Sequence, residues 1–452
     1  MNTFPIKLGP YQEEPVAIRM SAFEAFKRIY PFAKHVFLLE SLGEEGKYNR
    51  FSYVGFDPSS HIVAKNGELF IDGRLVKTND PYRYLSEIFP MDAYNQRGFD
   101  GGLVGYVSHE GTRYFEPVFK PLTTGEFPDF EFGLYLDGLI FDKKTKQVVY
   151  FHHGVNRLQK ILSFMHGSGE LDEFSYHIVS HGKTQEEHRQ MVENALEHIR
   201  AGDIFQVVLS KKTHYKLSGD LRRLYAVLRQ VNPSTYMFFF KFDDRQVIAA
   251  SPELLIRVKG KEIEHFGTLA GTIARGENAL ADESLAKRLL TDEKERAEHM
   301  MLVDLARNDV GKICEFGSVH VDKLLSVKKF SHVQHIYSEV RGKLKKDQNS
   351  FSALPACFPA GTLTGAPKIE AMKIISNLEK EPRGPYGGAG GYISFNGDCM
   401  FALSIRALFS IVNSAYTQTG SGIVMDSKAD KEYQEIINKQ KAMEEALEKA
   451  SS

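Results

Sequence analysis

Two Glu-x-x-Glu pairs define the chemistry that this sequence can do. Glu295 and Glu298 stand in DEKERAEHMMLVDLARND, and Glu432 and Glu435 stand in DSKADKEYQEIINK. Both stretches read as helix, where residues three apart share a face. Two such faces brought together make a cluster of four carboxylates. Away from water that cluster needs a cation. A hard divalent ion that takes oxygen ligands, Mg²⁺, is the natural occupant. Either pair alone could be a solvated helix face. In one register, however, Glu295 and Glu298 continue the stripe of Leu302 and Leu305, which turns them inward.

Other candidate motifs are weaker. GGAGGY lacks the Lys-Ser/Thr of a phosphate loop and does not open a helix, so a tight turn explains it better. His332 and His335 look like a metal pair, but residues three apart in a strand face opposite sides. Cys314, Cys357 and Cys399 are scattered, with no CxxC spacing and no even disulfide framework, which fits a reduced cytoplasm. A net charge of −1 with 25% charged residues offers no footprint for nucleic acid or an anionic membrane. No apolar run is long enough to span a bilayer, and MNTFPIKLGPYQEE does not read as a signal peptide. The chain contains no Trp.

The elements that must position the acids are mixed. Asn66-Gly67 and Asp72-Gly73 mark hairpins in a β-rich first part, which also holds GGLVGYVSHEG. A soft boundary falls between HGSGE (166–170) and Gly182. Thr184 and Glu187 form a capping box ahead of Met191, Val192, Ala195 and Ile199, with Gly202 as the stop. DIFQVVLSKKTHY, MFFFKF, QVIAAS, SHVQHIYSEVRG and ALSIRALFSIV read as strands. Helices are expected at 221–231, 281–308, 368–377 and 429–449, with 281–308 the longest. No regular βαβ alternation occurs. The fold expected is therefore α+β, with antiparallel sheets packed as a sandwich and helices on the outer faces.

At the Glu pairs the sequence meets a known family. From about residue 184 to 449 it resembles the chorismate-utilising enzymes, and within them the large subunits of anthranilate synthases. The matching blocks include GDIFQVVLS (202–210), ASPE (250–253), LAGTIARG (269–276), PAGTLTGAPK (359–368), YGGAGGYISFNGD (386–398), IRAL (405–408) and GSGIVMDS (420–427). LLES (38–41), RFSYVG (50–55) and GGLVGY (101–106) extend the resemblance over nearly the whole chain. It implies residues 1–180 as a β-rich region with a feedback element, interleaved with the core, and 181–452 as the chorismate-binding catalytic region.

The resemblance also implies roles. Glu298 and Glu435 match the nearest ligands of Mg²⁺, which bridges to the chorismate carboxylate, with Glu295 and Glu432 supporting them. Arg406 and Tyr386 match residues that hold a substrate carboxylate. Thr362 and the backbone of Gly420, Ser421 and Gly422 line the same pocket. Glu253 matches the general acid for loss of the ring hydroxyl, which requires a raised pKa. His335 matches a His tied to proton transfer in pyruvate loss, and Thr272 falls in the catalytic set. The implied reaction adds ammonia to chorismate and releases anthranilate and pyruvate.

Two positions separate sister activities. Relatives that activate water carry Lys where this chain has Gln206, and an amide is no general base. Aminodeoxychorismate synthases carry a nucleophilic Lys in the block that reads LAGT here, where Ala270 forms no covalent bond. The three cysteines lack the flanks of a glutamine amidotransferase nucleophile. The resemblance therefore implies a separate amidotransferase subunit in a heterodimer or heterotetramer. It further implies tryptophan feedback through Glu40, Ser41, Ser52, Asn232, Thr235, Tyr236 and Met237. Thr235 and Ala402 depart from the usual Pro and Cys. The rival readings are aminodeoxychorismate synthase, an enzyme that stops at the aminated intermediate, and a silent homologue that only senses tryptophan.

Overall fold

The run MFFFKF is apolar at consecutive positions, and the computed structural model of the chain shows why. It describes residues 8–42, 50–91, 98–123, 125–265, 269–329 and 333–452. His332 lies outside them, and of Ala270 and Thr272 only the backbone is described. The strand Tyr236–Phe242 is covered on both faces. Phe238 and Phe240 point into an aromatic core shared with Phe37, Tyr106, Tyr135, Tyr392 and Phe409. Met237 and Phe239 point the other way, into a core shared with Phe26, Leu224 and Leu447. A strand buried on both faces reads as a continuous apolar run.

That division describes the whole molecule. Among the described residues two 12-stranded antiparallel sheets face each other across the aromatic core. In the first, the central order is Phe51–Phe56, His35–Glu40, Tyr236–Phe242, Arg245–Ser251, Ala407–Ile411, Ser414–Ile423, Gln206–Gly219. In the second it is Val333–Lys343, Glu262–His265, Leu254–Lys259, Cys399–Leu403, Ala389–Ser394, Gly102–Val107, Phe130–Tyr135. Strands from before and after residue 180 are hydrogen-bonded neighbours in both sheets. Helices Ala22–Ile29, Leu221–Val231 and Ala429–Ser451 cover the first sheet. Glu293–Gly311 and Ser350–Cys357 cover the second.

Local signals hold at the ends. The Thr184–Glu187 capping box is present, and Gly202 closes that helix at φ +83°. Asn66-Gly67 and Asp72-Gly73 turn hairpins with all four residues at positive φ.

Two sequence-based expectations need correction. The helical stretch 281–308 is two helices, Ala279–Thr291 and Glu293–Gly311. Asp292 stands between them in extended conformation. Its carboxylate accepts from the N–H of Lys294 and Glu295, so it starts the second helix anew. The longest helix among the described residues is instead Ala429–Ser451. ALSIRALFSIV is not one strand. Cys399–Leu403 belongs to the second sheet and Ala407–Ile411 to the first, and the chain crosses between them with Arg406 at φ +50°.

Asp292→Ala removes the cap of the helix that carries Glu295 and Glu298. We expect a loss of about 1 kcal/mol, read as a lower midpoint in chemical denaturation; an unchanged midpoint would deny Asp292 its capping role.

Candidate active site

Two crossings between the sheets lie side by side and carry functional groups. The chain leaves the first sheet after Ser251 and enters the second at Leu254, with Glu253 at the crossing. It returns from Leu403 to Ala407 with Arg406 at the crossing. The N–H of Leu403 donates to the Glu253 carbonyl at 3.0 Å, and the N–H of Ala250 donates to the Arg406 carbonyl at 3.1 Å. The two corners are therefore tied to each other.

Glu253 is 7% exposed, and its only hydrogen-bond donor among the described side chains is Thr362 Oγ1 at 2.9 Å. Burial pushes its carboxyl up to about 7, against smaller opposing pulls from Thr362, Lys439 and Lys328. Near neutral pH it carries a proton in a large fraction of molecules, as a general acid requires. Arg406 makes no hydrogen bond or ion pair through its side chain among the described residues, and burial lowers its pKa. An unpaired, desolvated guanidinium is a ready partner for a carboxylate. Tyr386 is buried beside it.

The opposite wall comes from the paired strands Gln206–Gly219 and Ser414–Ile423, which register Val208 with Gly422 and Ser210 with Gly420. A Cβ at Gly422 would sit 2.6 Å from Gln206 Nε2, and one at Gly420 would sit 2.9 Å from the Tyr386 hydroxyl. Gly420, where a Cβ would also sit 2.8 Å from the Leu209 carbonyl oxygen, needs glycine, whereas at Gly422 the Gln206 amide would have to give way. Ser421 between them is buried.

The two Glu pairs do approach from different helices. Burial raises the carboxyl of Glu298, helped by Glu295, Glu435 and Glu432. Burial also raises Glu295, with Asp292 and Glu435 adding to it, and raises Glu432, with Glu435 adding. Mutual repulsion among these groups places them in one field. Gln206 Nε2 donates to Glu298 Oε1 at 3.1 Å, so the acidic wall borders the strand wall. Among the described residues the only three potential ligand atoms within 4.8 Å of one another belong to His35, His61 and Asp243. The glutamates thus form an open wall of oxygen donors rather than a closed cage. Such a donor set fits Mg²⁺, which binds few protein carboxylates and keeps its waters.

His335 lies across from Thr272 in the strand register. Its Nδ1–H donates to the Gly271 carbonyl at 3.1 Å. Burial lowers its pKa to about 4, with Arg406, Lys439 and Lys328 adding to the effect. It is neutral at physiological pH, and Nε2 bears the lone pair.

Sequence reasoning missed two lysines. Lys439 Nζ donates to the Gly420 carbonyl at 3.0 Å and pairs with Glu435 at 2.6 Å. Its i,i+4 spacing from Glu435 was a usable signal. Lys328 acts on both Glu253 and His335, and nothing in its sequence context marks it.

The residues expected to bind tryptophan gather around the start of strand Tyr236–Phe242, on the side of the strand His35–Glu40. Met237 pairs with Glu40, and Leu39 pairs with Tyr53, next to Ser52. Ser41, Ser52 and Tyr236 are buried. Asn232 ends the helix Leu221–Val231, and Ser234 Oγ donates to its carbonyl at 3.3 Å, just before Thr235. The Glu40 carboxylate already accepts from Tyr225 at 2.9 Å and Arg229 at 2.7 Å. A ligand ammonium there has to compete with Arg229.

Residues 34–445 match the chorismate binding enzyme family. The anthranilate synthase component 1 of Methanothermobacter thermautotrophicus is 45% identical over 457 residues, covering 100% of this chain and 97% of that protein. The crystal structure of anthranilate synthase component I from Streptococcus pneumoniae matches with a TM-score of 0.79 at 36% identity, over 89% of this chain and 94% of that one. The menaquinone-specific isochorismate synthase of Escherichia coli, at 18% identity, shares the fold with a TM-score of 0.75, over 97% of this chain and 95% of that one. No helix among the described residues is long and apolar enough to cross a membrane.

The raised pKa of Glu253 has a stability consequence. Its folded-state value of about 7 exceeds the reference of 4.5. The favourable neutral form is fully present below the lower value and lost as pH rises through the upper one. Glu253→Gln should therefore stabilise the protein by on the order of 3 kcal/mol above about pH 8. Denaturation at acid pH should show no such gain. Equal effects at both pH values would show that the carboxyl is not held neutral.

Proposed function

The chain belongs to the chorismate binding enzymes, and on that footing we propose that it converts chorismate and ammonia to anthranilate and pyruvate. The observation that carries this reading is the buried Glu253 carboxyl, raised to about 7 and bonded by Thr362, at a corner shared with the unpaired Arg406. Hydroxide is a poor leaving group, so its departure from the ring needs a proton. Glu253 supplies that proton, and the ring hydroxyl leaves as water while ammonia bonds to the ring. Arg406 and Tyr386 hold one substrate carboxylate. The Gln206 side chain gives Nε2–H to Glu298, and its amide oxygen is buried without a partner among the described residues. That oxygen can accept an N–H of ammonia, whereas it cannot deprotonate water.

Pyruvate loss then needs a ring proton removed. Neutral His335, with its lone pair on Nε2, is the base suited to it. Mg²⁺ would be held by Glu298 and Glu435, with Glu295 and Glu432 behind them, and would neutralise the substrate's second carboxylate against this acidic wall. All three cysteines are buried, so none is placed as an exposed amidotransferase nucleophile. Ammonia is, in this reading and as the family resemblance implies, drawn from glutamine by a separate subunit. In this reading the product is the first committed intermediate of tryptophan synthesis, and tryptophan binds at Ser41, Ser52, Asn232, Thr235, Tyr236 and Met237 to inhibit the enzyme.

Anthranilate fluorescence from the purified chain with chorismate, ammonium salt and Mg²⁺ tests the reaction. The expected signal needs Mg²⁺ and falls with added tryptophan. Chorismate consumed without anthranilate would favour aminodeoxychorismate or the unreleased intermediate, and untouched chorismate would leave a silent homologue. Ser41→Phe should keep the activity within about threefold while tryptophan loses its effect. Unaltered inhibition would move the inhibitor site elsewhere.

A further inference from the structure

Among the described residues Arg383 is the largest wholly buried side chain, at 1% exposure, and its hydrogen bonds reach none of the side chains assigned above to chemistry. Its bonds go instead to the backbone beside them. Nη1 donates to the Leu363 carbonyl at 2.7 Å, next to Thr362. Nη2 donates to the Val208 carbonyl at 2.8 Å, two residues after Gln206. The same guanidinium pairs with Glu379 at 2.6 and 2.8 Å. Glu379 in turn accepts from the N–H and hydroxyl of Ser210, whose register partner is Gly420. Tyr386 lies three residues further along the chain, with the Arg383 guanidinium 5.6 Å from its ring centre.

The backbone of this turn is held from a distant part of the sequence. Glu110 accepts from the N–H of Arg383 through Oε1 at 2.7 Å and from the N–H of Gly384 through Oε2 at 2.9 Å. The N–H of His109 donates back to the Gly384 carbonyl at 2.8 Å. Glu110 is 2% exposed. Both of its oxygens face donors, which favours the carboxylate and opposes the burial that pushes its pKa up to about 7. A glutamine would turn its NH₂ toward a backbone N–H, leaving a buried donor unpaired.

We infer that Glu110 is a positioning residue for the substrate pocket: it holds the Arg383–Tyr386 turn, and the Arg383–Glu379 pair passes that placement to the segments of Thr362, Gln206 and Gly420. The inference rests on the reading of this pocket as the chorismate site. Glu110 never meets the reacting atoms, so its loss acts on substrate binding more than on turnover.

The test compares wild type, Glu110→Gln and Glu110→Asp for ammonia-dependent anthranilate formation and for hydrogen exchange of the Arg383 and Gly384 amides. In Glu110→Gln we expect KM for chorismate to rise about tenfold with kcat within about threefold. Those two amides should exchange faster while strand Gln206–Gly219 stays protected. Glu110→Asp keeps two acceptors and should restore most of the KM. An unchanged KM, a kcat that falls as much as kcat/KM, or protection lost throughout the fold would overturn the inference. If the wild type makes no anthranilate, the proposed function fails on its own. Chorismate affinity by equilibrium binding then replaces KM and still reads the role of Glu110.

Discussion

The site depends on two chain crossings that are hydrogen-bonded to one another. A sheet alone presents side chains above and below its plane. A crossing points a side chain along the gap between two sheets, where neither face offers water. The bonds from Leu403 to Glu253 and from Ala250 to Arg406 lock the two corners together. Glu253 is thereby held in a place that favours its neutral form, and Arg406 in a place that denies it a protein partner. Both states are costly for the isolated protein. They are useful only to a ligand that brings negative charge and a leaving group needing a proton.

The remaining charges are sorted around that pair. Arg406, Lys439 and Lys328 bear on His335, while the four glutamates crowd two helices, with Lys439 bridging to them through Glu435. Burial keeps His335 neutral, and each cation of the first group adds to that by disfavouring a further positive charge. Burial, with repulsion from neighbouring acids, raises Glu295, Glu298 and Glu432 in the second. Gln206 is the hinge between the two fields, because its amide is neutral and can face both. A lysine at that position would pair with Glu298 and add charge where the proposed nucleophile, ammonia, needs only a hydrogen-bond acceptor. Binding and proton transfer are thus separated by position within one cleft.

Much of this was legible in the sequence, for identifiable reasons. Both Glu-x-x-Glu pairs could be placed because the period of a helix is regular and local. The capping box at Thr184 and the hairpins at Asn66-Gly67 and Asp72-Gly73 depend on side chains within three residues of their backbone partners. The raised pKa of Glu253 was anticipated from its role, yet its cause is burial between sheets, which no local pattern encodes. The failures have the same origin. Asp292 breaks a helical run that is continuous by periodicity, because a cap and a mid-helix Asp look alike in sequence. Arg406 interrupts an apolar run whose two halves belong to different sheets. Arg383 and Glu110 meet across more than two hundred residues, so their partnership is visible only when folded.

The expected feedback element gains a physical route from the same topology. Tyr236 pairs with Ser251, and Met237 pairs with Ala250. Ser251 begins the crossing that carries Glu253, and Ala250 donates to the Arg406 carbonyl. A ligand seated against Ser41, Tyr236 and Met237 therefore presses on a strand whose neighbour ends at both catalytic corners. Contact alone does not make regulation, since a ligand shifts an equilibrium only by binding one arrangement better than another. At the proposed inhibitor site such a preference would act through one concrete contact. The Glu40 carboxylate is held by Arg229 and Tyr225, and an incoming ammonium must exchange with that guanidinium. Arg229 is one of two polar ties from the helix Leu221–Val231 to the strand His35–Glu40, Tyr225 being the other, and it is that strand which registers Glu40 with Met237. In the proposed reading an inhibitor would act through this one pair of strands and need not approach the carboxylate wall.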